Sequence, residues 1–378
     1  MTQFNGRTKI CYGGDAIESL EQLPAKRALI VTDPFMVKTG FVDRIKSHLD
    51  RAGIAHGLFG DVESDPSLET VTRGTLFLLE EGADLIIALG GGSAIDAAKA
   101  IMFFGHRVAS QSNPGNRGNQ VKKPMLVAIP TTSGTGSEVT AISVVTDRVN
   151  EVKIPLLDEL MIPDMAILDA RFTRTVPPSV TAATGMDVLT HAIEAYTATG
   201  ANAFSSIYAE YAIKYVFTYL LRAYSNGDDM EAREMMLLAS CMAGMAFNNS
   251  GLGITHSMAH SLGGVFHIPH GTANAVMLPH VIGFNSFDVG VKYHEIARML
   301  ELPSESVKAG VESLVAAVAG LNAAMDIPSR IRELKVDEAA FRAELPTMAQ
   351  HALDDGCTPG NPRRPSLDDI KRLLEQAW

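Results

Sequence analysis

Five of the eleven histidines, His256, His260, His267, His270 and His280, fall between positions 256 and 280. Upstream, Asp187 and His191 stand four residues apart, and His256 and His260 repeat that spacing. Residues four apart on a helix share a face, so each pair could aim two donors at one point. His270 lies between Pro269 and Gly271, where a loop gives way to a helix. A carboxylate among imidazoles suits a divalent transition ion such as Fe(II) or Zn(II). No cysteine sits beside these positions, which excludes a thiolate zinc finger. Spacing alone leaves open which of these groups bind an ion; His280, after Pro279, is expected to be structural.

A second set of residues could hold a nucleotide. Gly90, Gly91, Gly92 and Ser93 follow the apolar run Asp84–Leu89 and precede a helical pattern. Glycines allow close approach of backbone to a pyrophosphate, and a helix N-terminus offers free amides and a positive dipole. Asp96, three residues on, could cap that helix or bond a ligand. Thr131, Thr132, Ser133, Gly134, Thr135, Gly136, Ser137 and Glu138 form a donor-rich loop after the run Met125–Ile129. Asp33 ends a β-branched run, Ala28–Thr32. A carboxylate there can accept both hydroxyls of an adenosine ribose and would repel a 2′-phosphate, favouring NAD over NADP; the alternative is a helix N-cap. No GxGxxG follows that first run, so the standard dinucleotide fingerprint is absent.

These groups need a scaffold, and the pattern supplies one in two halves. Ala28–Thr32, His56–Phe59, Asp84–Leu89, Met125–Ile129 and Ala166–Leu168 read as strands. Gly40–Ala52, Leu68–Glu81 and Ala94–Phe104 read as helices between them. Such alternation implies a parallel sheet with helices on both faces. A hairpin is expected from Ile142–Thr146, a turn at Asp147–Asn150, and Glu151–Leu156. Residues 111–123 read as a surface loop. After Pro177 and Pro178 no convincing β-run appears, only helical stretches such as Ala203–Tyr224, Met230–Phe247, Thr255–Val265 and Ser304–Gly320. The expected domains are an α/β dinucleotide-binding domain over 1–178 and an all-helical metal and substrate domain over 179–378.

Composition bounds the partners. Lys and Arg number 32 against 43 Asp and Glu, a formal charge of −11 among 378 residues. That acidic balance disfavours nucleic acid as a partner. No continuous apolar run of spanning length and no signal peptide are visible, so no membrane association is expected. Three scattered cysteines point to reduced thiols and a cytoplasmic location.

Taken together, these motifs resemble the iron-containing (group III) alcohol dehydrogenase family. The resemblance rests on Gly90–Ser93 with Asp96, on Pro130 to Glu138, on Gly185-Met186-Asp187 through Glu194-Ala195-Tyr196, and on the histidine stretch from Gly251 to His280. It extends to Cys357–Arg363, and Phe266–His270 is closest to ethanol and propanol dehydrogenases. The resemblance implies a Rossmann-like first domain and a dehydroquinate-synthase-like architecture. It implies a metal held by Asp187, His191, His256 and His270, with Fe(II) the first choice and Zn(II) compatible. His260 corresponds to a histidine near substrate implicated in proton relay. Asp33, Gly91, Gly92, Ser93, Thr131, Thr132, Thr135, Val144 and Lys153 correspond to nucleotide contacts. Phe247 corresponds to an aromatic of the substrate pocket, and Ile142 stands where lactaldehyde reductases carry Asn. The expected activity is NAD(H)-dependent, metal-assisted interconversion of small primary alcohols and aldehydes by a homodimer or larger homo-oligomer. The alternatives are a glycerol dehydrogenase or dehydroquinate-synthase-like relative, or a catalytically silent nucleotide or metal sensor.

Overall fold

The computed structural model describes residues 3–111, 122–149 and 152–378. The chain divides into two compact units, one of residues 6–175 and one of residues 176–378 together with the N-terminal segment up to Asn5.

The first unit is built on six parallel strands in the order β1-β8-β5-β4-β2-β3. They are β1 (Lys9–Tyr12), β2 (Arg27–Val31), β3 (Ala55–Phe59), β4 (Leu85–Gly90), β5 (Met125–Pro130) and β8 (Met165–Leu168). Its helices are α1 (Pro34–Lys38), α2 (Phe41–Arg51), α3 (Leu68–Glu81) and α4 (Gly92–Gln111). Side chains alternate across a strand, and both faces of this sheet are buried. Ala28, Ile30, Leu85, Ile87, Val127 and Ile129 join Val42, Ile45 and Leu49 of α2 in one core. Leu29, Val31, Ile86, Ala88, Leu126 and Ala128 join residues of α3 and α4 in another. Burial on both sides is why these strands read as unbroken apolar runs rather than alternating ones.

The hairpin forms as expected from β6 (Ile142–Asp147) and β7 (Val152–Leu157), with Ile142 opposite Leu157 and Asp147 opposite Val152. Part of its turn, residues 150 and 151, and most of the expected loop, residues 112–121, lie outside the described residues. Strand β1 was not legible in the sequence. It has four residues, its end residues Lys9 and Tyr12 are exposed, and it pairs only with β8 at the sheet edge. Edge strands of that kind need no apolar run.

The second unit is helical among its described residues: α5 (Pro178–Thr197), α6 (Ala203–Ser225), α7 (Met230–Ser250), α8 (Ile254–Phe266), α9 (His270–Met299), α10 (Val307–Ala324), α11 (Glu338–Asp354) and α12 (Leu367–Ala377). The N-terminal segment belongs here rather than with the sheet. Phe4 stacks on Tyr208 at 5.6 Å between ring centroids, and the Asn5 amide donates to Asn249 Oδ1 at 2.6 Å. The expected boundary after Pro178 therefore moves to residues 175–176, and the first residues leave the α/β domain.

Helix α10 is long and apolar enough to cross a bilayer by length and composition, although Lys308, Glu312 and Asn322 interrupt its apolar sequence. Its Leu314 and Val318 are fully buried in the helical core, where α10 packs on α9. About a third of this stretch is buried.

Candidate metal centre and nucleotide-binding edge

Helix α5 carries Asp187 and His191 one turn apart, both almost fully buried. Helix α8 begins at Ile254 and brings His256, which is 1% exposed. Helix α9 begins at His270 itself, so this residue opens a helix rather than standing in a free loop. The start of α9 reaches α5 because residue 271 is glycine. A Cβ there would stand 2.1 Å from the Ala183 carbonyl oxygen. Gly271→Ala should therefore push His270 away from α5, at a cost of about 1–3 kcal/mol for overpacking. The expected result is a lowered Tm together with reduced metal content, read by thermal melting and elemental analysis; full occupancy would show that α9 tolerates the shift.

The three helices converge on the Asp187 carboxylate. Asp187 Oδ1 lies 3.4 Å from His270 Nε2 and 3.7 Å from His256 Nε2, and Oδ2 lies 3.9 Å from His191 Nδ1. The ring of His191 stacks between His256 and Phe247, each at 4.5 Å between centroids. Donor atoms of Asp187, His256 and His270 all fall within 4.8 Å of one another. These separations are long for direct hydrogen bonds and suit groups gathered around a common centre. One further observation fits a cation. His256 Nε2 is buried with no hydrogen-bond partner, which a native interior rarely leaves unexplained. Burial alone would lower the His256 imidazole, yet Glu194 and Asp187 raise it to about 9, whereas burial and the neighbouring imidazoles push His270 down to about 3. Burial would likewise raise the Asp187 carboxyl, but the imidazoles of His191, His270 and His256 hold it below the usual carboxylate range. One carboxylate and three imidazoles form a donor set for Fe(II) or Zn(II).

Two supporting residues escaped the sequence reading. Glu194 Oε2 lies 2.7 Å from His256 Nδ1, and its oxygens also accept the amides of Gly253 (2.9 Å) and Thr255 (2.7 Å). A carboxylate only accepts, so Nδ1 carries the proton and Nε2 is left for an ion. Asn274, one turn into α9, donates to Asp187 Oδ1 at 2.7 Å and lies 3.1 Å from His270 Nε2. Both follow a ligand at helical spacing, Glu194 three residues after His191 and Asn274 four after His270. That spacing was their only available signal. His260 stays outside the donor set. Its side chain is half exposed, its Nδ1 donates to Asp355 Oδ2 at 2.9 Å, and its ring stacks on His270 at 5.2 Å.

In the α/β unit, the nucleotide candidates gather at the carboxyl edge of the sheet. Asp33 follows β2, Gly90 ends β4 and Thr131 follows β5, three neighbouring strands. From β2 the chain runs outward to β3, and from β4 it runs the other way to β5, so Asp33 and Gly90 flank the point where strand order reverses. Ligands of open α/β sheets bind there. Gly90 has φ +147°, and a Cβ on Gly92 would meet Thr135 Cγ2 at 2.8 Å, so the glycine loop and the threonine loop touch. Ser93 Oγ donates to the Ser64 carbonyl. Asp33 is in fact an N-cap: its Oδ1 accepts the amides of Phe35 (2.8 Å) and Met36 (3.0 Å), which fixes its charge at this edge. Lys153 pairs with Asp65 at 2.7 Å.

Asp96 binds protein on both oxygens, Ser137 Oγ at 2.6 Å and the Val144 amide at 2.9 Å. It ties α4 to the threonine loop and to β6. Fully buried Lys99 completes the tie, donating to Ser137 Oγ (2.9 Å), Thr140 Oγ1 (3.0 Å) and the Ile142 carbonyl (2.8 Å). Burial pushes this ammonium down to about 8, against the pull of Asp96 and Glu138. The loop carrying Thr131, Thr132 and Thr135 is thus anchored from beneath, and Ile142 and Val144 serve that anchor through their backbone.

Known proteins decide between the readings. The description "Iron-containing alcohol dehydrogenase" matches residues 7–170, and "Fe-containing alcohol dehydrogenase family, C-terminal" matches residues 181–378. The chain belongs to the iron-containing alcohol dehydrogenase family. It is 42% identical to the NADPH-dependent butanol dehydrogenase of Clostridium saccharobutylicum, covering 99% of this chain and 97% of that one. It is 39% identical to the NAD-dependent methanol dehydrogenase of Bacillus methanolicus, covering 95% and 94%. The solved structure of a 1,3-propanediol oxidoreductase superposes with a TM-score of 0.92 at 35% identity, covering all of both chains. As an iron-containing alcohol dehydrogenase, the protein is an NAD(P)-dependent alcohol oxidoreductase.

Proposed function

We propose that this enzyme interconverts small primary alcohols and aldehydes with NAD(H), using an ion held by Asp187, His191, His256 and His270. The convergence of these four groups from three helices carries the reading. When bound, a divalent ion would polarise the substrate oxygen and favour the alkoxide. Nicotinamide supplies the hydride chemistry. The chain does the rest. Glu194 fixes the tautomer of His256, and Phe247 covers one face of His191 with an apolar ring. Asp355 holds the proton on His260 Nδ1, so Nε2 is the atom left to exchange a proton. Fe(II) is the ion the family supports; the donors also suit Zn(II), which the Irving–Williams order favours at equal availability. None of the three cysteines is in a disulfide, which supports a cytoplasmic setting. The expected assembly is a homodimer or larger homo-oligomer, which light scattering would test.

The pinned charge of Asp33 supports a preference for NAD(H), since it would repel a 2′-phosphate. kcat/KM should be higher with NADH than with NADPH, and Asp33→Gly should narrow the difference. Glycine is a tolerable N-cap, so the fold should lose only a few tenths of a kcal/mol. A wild-type preference for NADPH would overturn this assignment. A panel of aldehydes at fixed metal content would identify the substrate class.

A further inference from the structure

His260, Asp355 and Cys357 bring an imidazole nitrogen, a carboxylate oxygen and a thiol sulfur within 4.8 Å of one another. His260 stands on α8, and Asp355 and Cys357 lie in the turn that follows α11. The turn is fastened in place. The Cys357 amide donates to Asp355 Oδ1 at 2.8 Å, Ser257 Oγ donates to the same oxygen at 3.2 Å, and Thr358 Oγ1 donates to the Ala352 carbonyl at 2.6 Å. Neither Asp187 nor any of the three histidines around it belongs to this cluster.

We propose that His260, Asp355 and Cys357 form a second, inhibitory cation site for thiophilic divalent ions such as Zn2+ and Cd2+. Sulfur, imidazole and one carboxylate are the donors such ions select, whereas Mg2+ and Ca2+ require oxygen. Three protein donors leave a position for water, and the half-exposed His260 side chain gives an approach. Burial and the carboxylates of Asp355 and Glu194 keep the Cys357 thiol protonated in the absence of a cation. An ion offsets those negative charges, and the thiol proton leaves to solvent.

The consequence falls on His260. Its Nδ1 faces Asp355, so coordination through Nδ1 moves the ring proton to Nε2. The atom that would accept a proton in turnover then becomes a donor. This inhibitory step rests on the relay role proposed for His260; the site itself does not.

The test uses enzyme loaded with its catalytic metal and freed of excess ion. Cd2+ is titrated while the sulfur-to-cadmium charge-transfer absorption and the turnover are followed together. The expected result is one thiolate-bound Cd2+ per chain, loss of turnover over the same concentration range, and no response to Mg2+. Cys357→Ser should lose the absorption and the inhibition, and His260→Ala should weaken cadmium binding. Absence of the absorption overturns the site. So does an absorption that survives in Cys357→Ser, which would place the thiolate at Cys11 or Cys241. Inhibition without absorption would mean that Cd2+ acts at the Asp187 centre, and it too overturns the proposal. An absorption with the expected mutant behaviour and undiminished turnover upholds the site and overturns the relay role of His260.

Discussion

His256→Ala and His270→Ala should each lose bound metal and turnover. The two substitutions differ in what else they disturb. His256 is buried, and its Nδ1 lies 2.7 Å from a buried Glu194 oxygen. Removing it strands a carboxylate in the interior, and breaking such a buried pair costs about 3–5 kcal/mol. Gly253 and Thr255 still donate to Glu194, so the helix start retains part of its anchor. His270 has a side chain 39% exposed, and its loss should leave the fold nearly intact. Metal loss in His270→Ala therefore cannot be ascribed to unfolding. Losing even a residue that only orients a ligand costs about 10–100-fold in metal affinity, and a direct ligand should cost more. Elemental analysis, circular dichroism and activity on the same preparations decide the matter. If both variants keep full occupancy and full activity, the ion is bound elsewhere and the proposed chemistry fails.

What the sequence shows here follows from how local each signal is. Helix α3 runs from Leu68 to Glu81 as the pattern predicts, because both of its ends are written locally. Ser67 accepts the Thr70 amide, and Gly82 takes the left-handed conformation at φ 60°. The buried strands β2, β4 and β5 were legible because burial on two faces leaves no polar interruption. Helix α4 begins two residues before the expected Ala94, because the last glycine of the triplet already belongs to the helix. The candidate metal donors were half legible. Spacing of four puts Asp187 with His191 and His256 with His260 on shared faces, yet only the fold separates His256 from His260. Helix α8 presents His256 to Asp187 and His260 to Asp355. Glu194 acts on a residue 62 positions away and Asn274 on one 87 away, and no local pattern records such pairings. Of the two sequence readings of Asp33, the structure shows the helix cap. One oxygen caps α1, and the cap is what fixes its charge beside the glycine loop.

His260→Ala should keep its metal and lose turnover. The geometry separates this residue from the ligands in three ways. Its Nδ1 is engaged by Asp355 at 2.9 Å, its side chain is 45% exposed, and its ring lies beside His270 rather than pointing a nitrogen at Asp187. Truncation removes no donor from the Asp187 centre and no buried core, so occupancy and fold should persist. If Nε2 accepts the proton released from the alcohol, its loss leaves that transfer to water. General acid–base groups of this kind contribute about 10²–10⁴-fold. The deficit should appear in kcat, with KM for NADH little changed, because His260 is not among the nucleotide candidates. Added imidazole should restore part of the rate in His260→Ala, a response that a purely structural defect would not give. Loss of metal from this variant would reassign His260 as a ligand, and unchanged turnover with metal in place would remove it from the proton path.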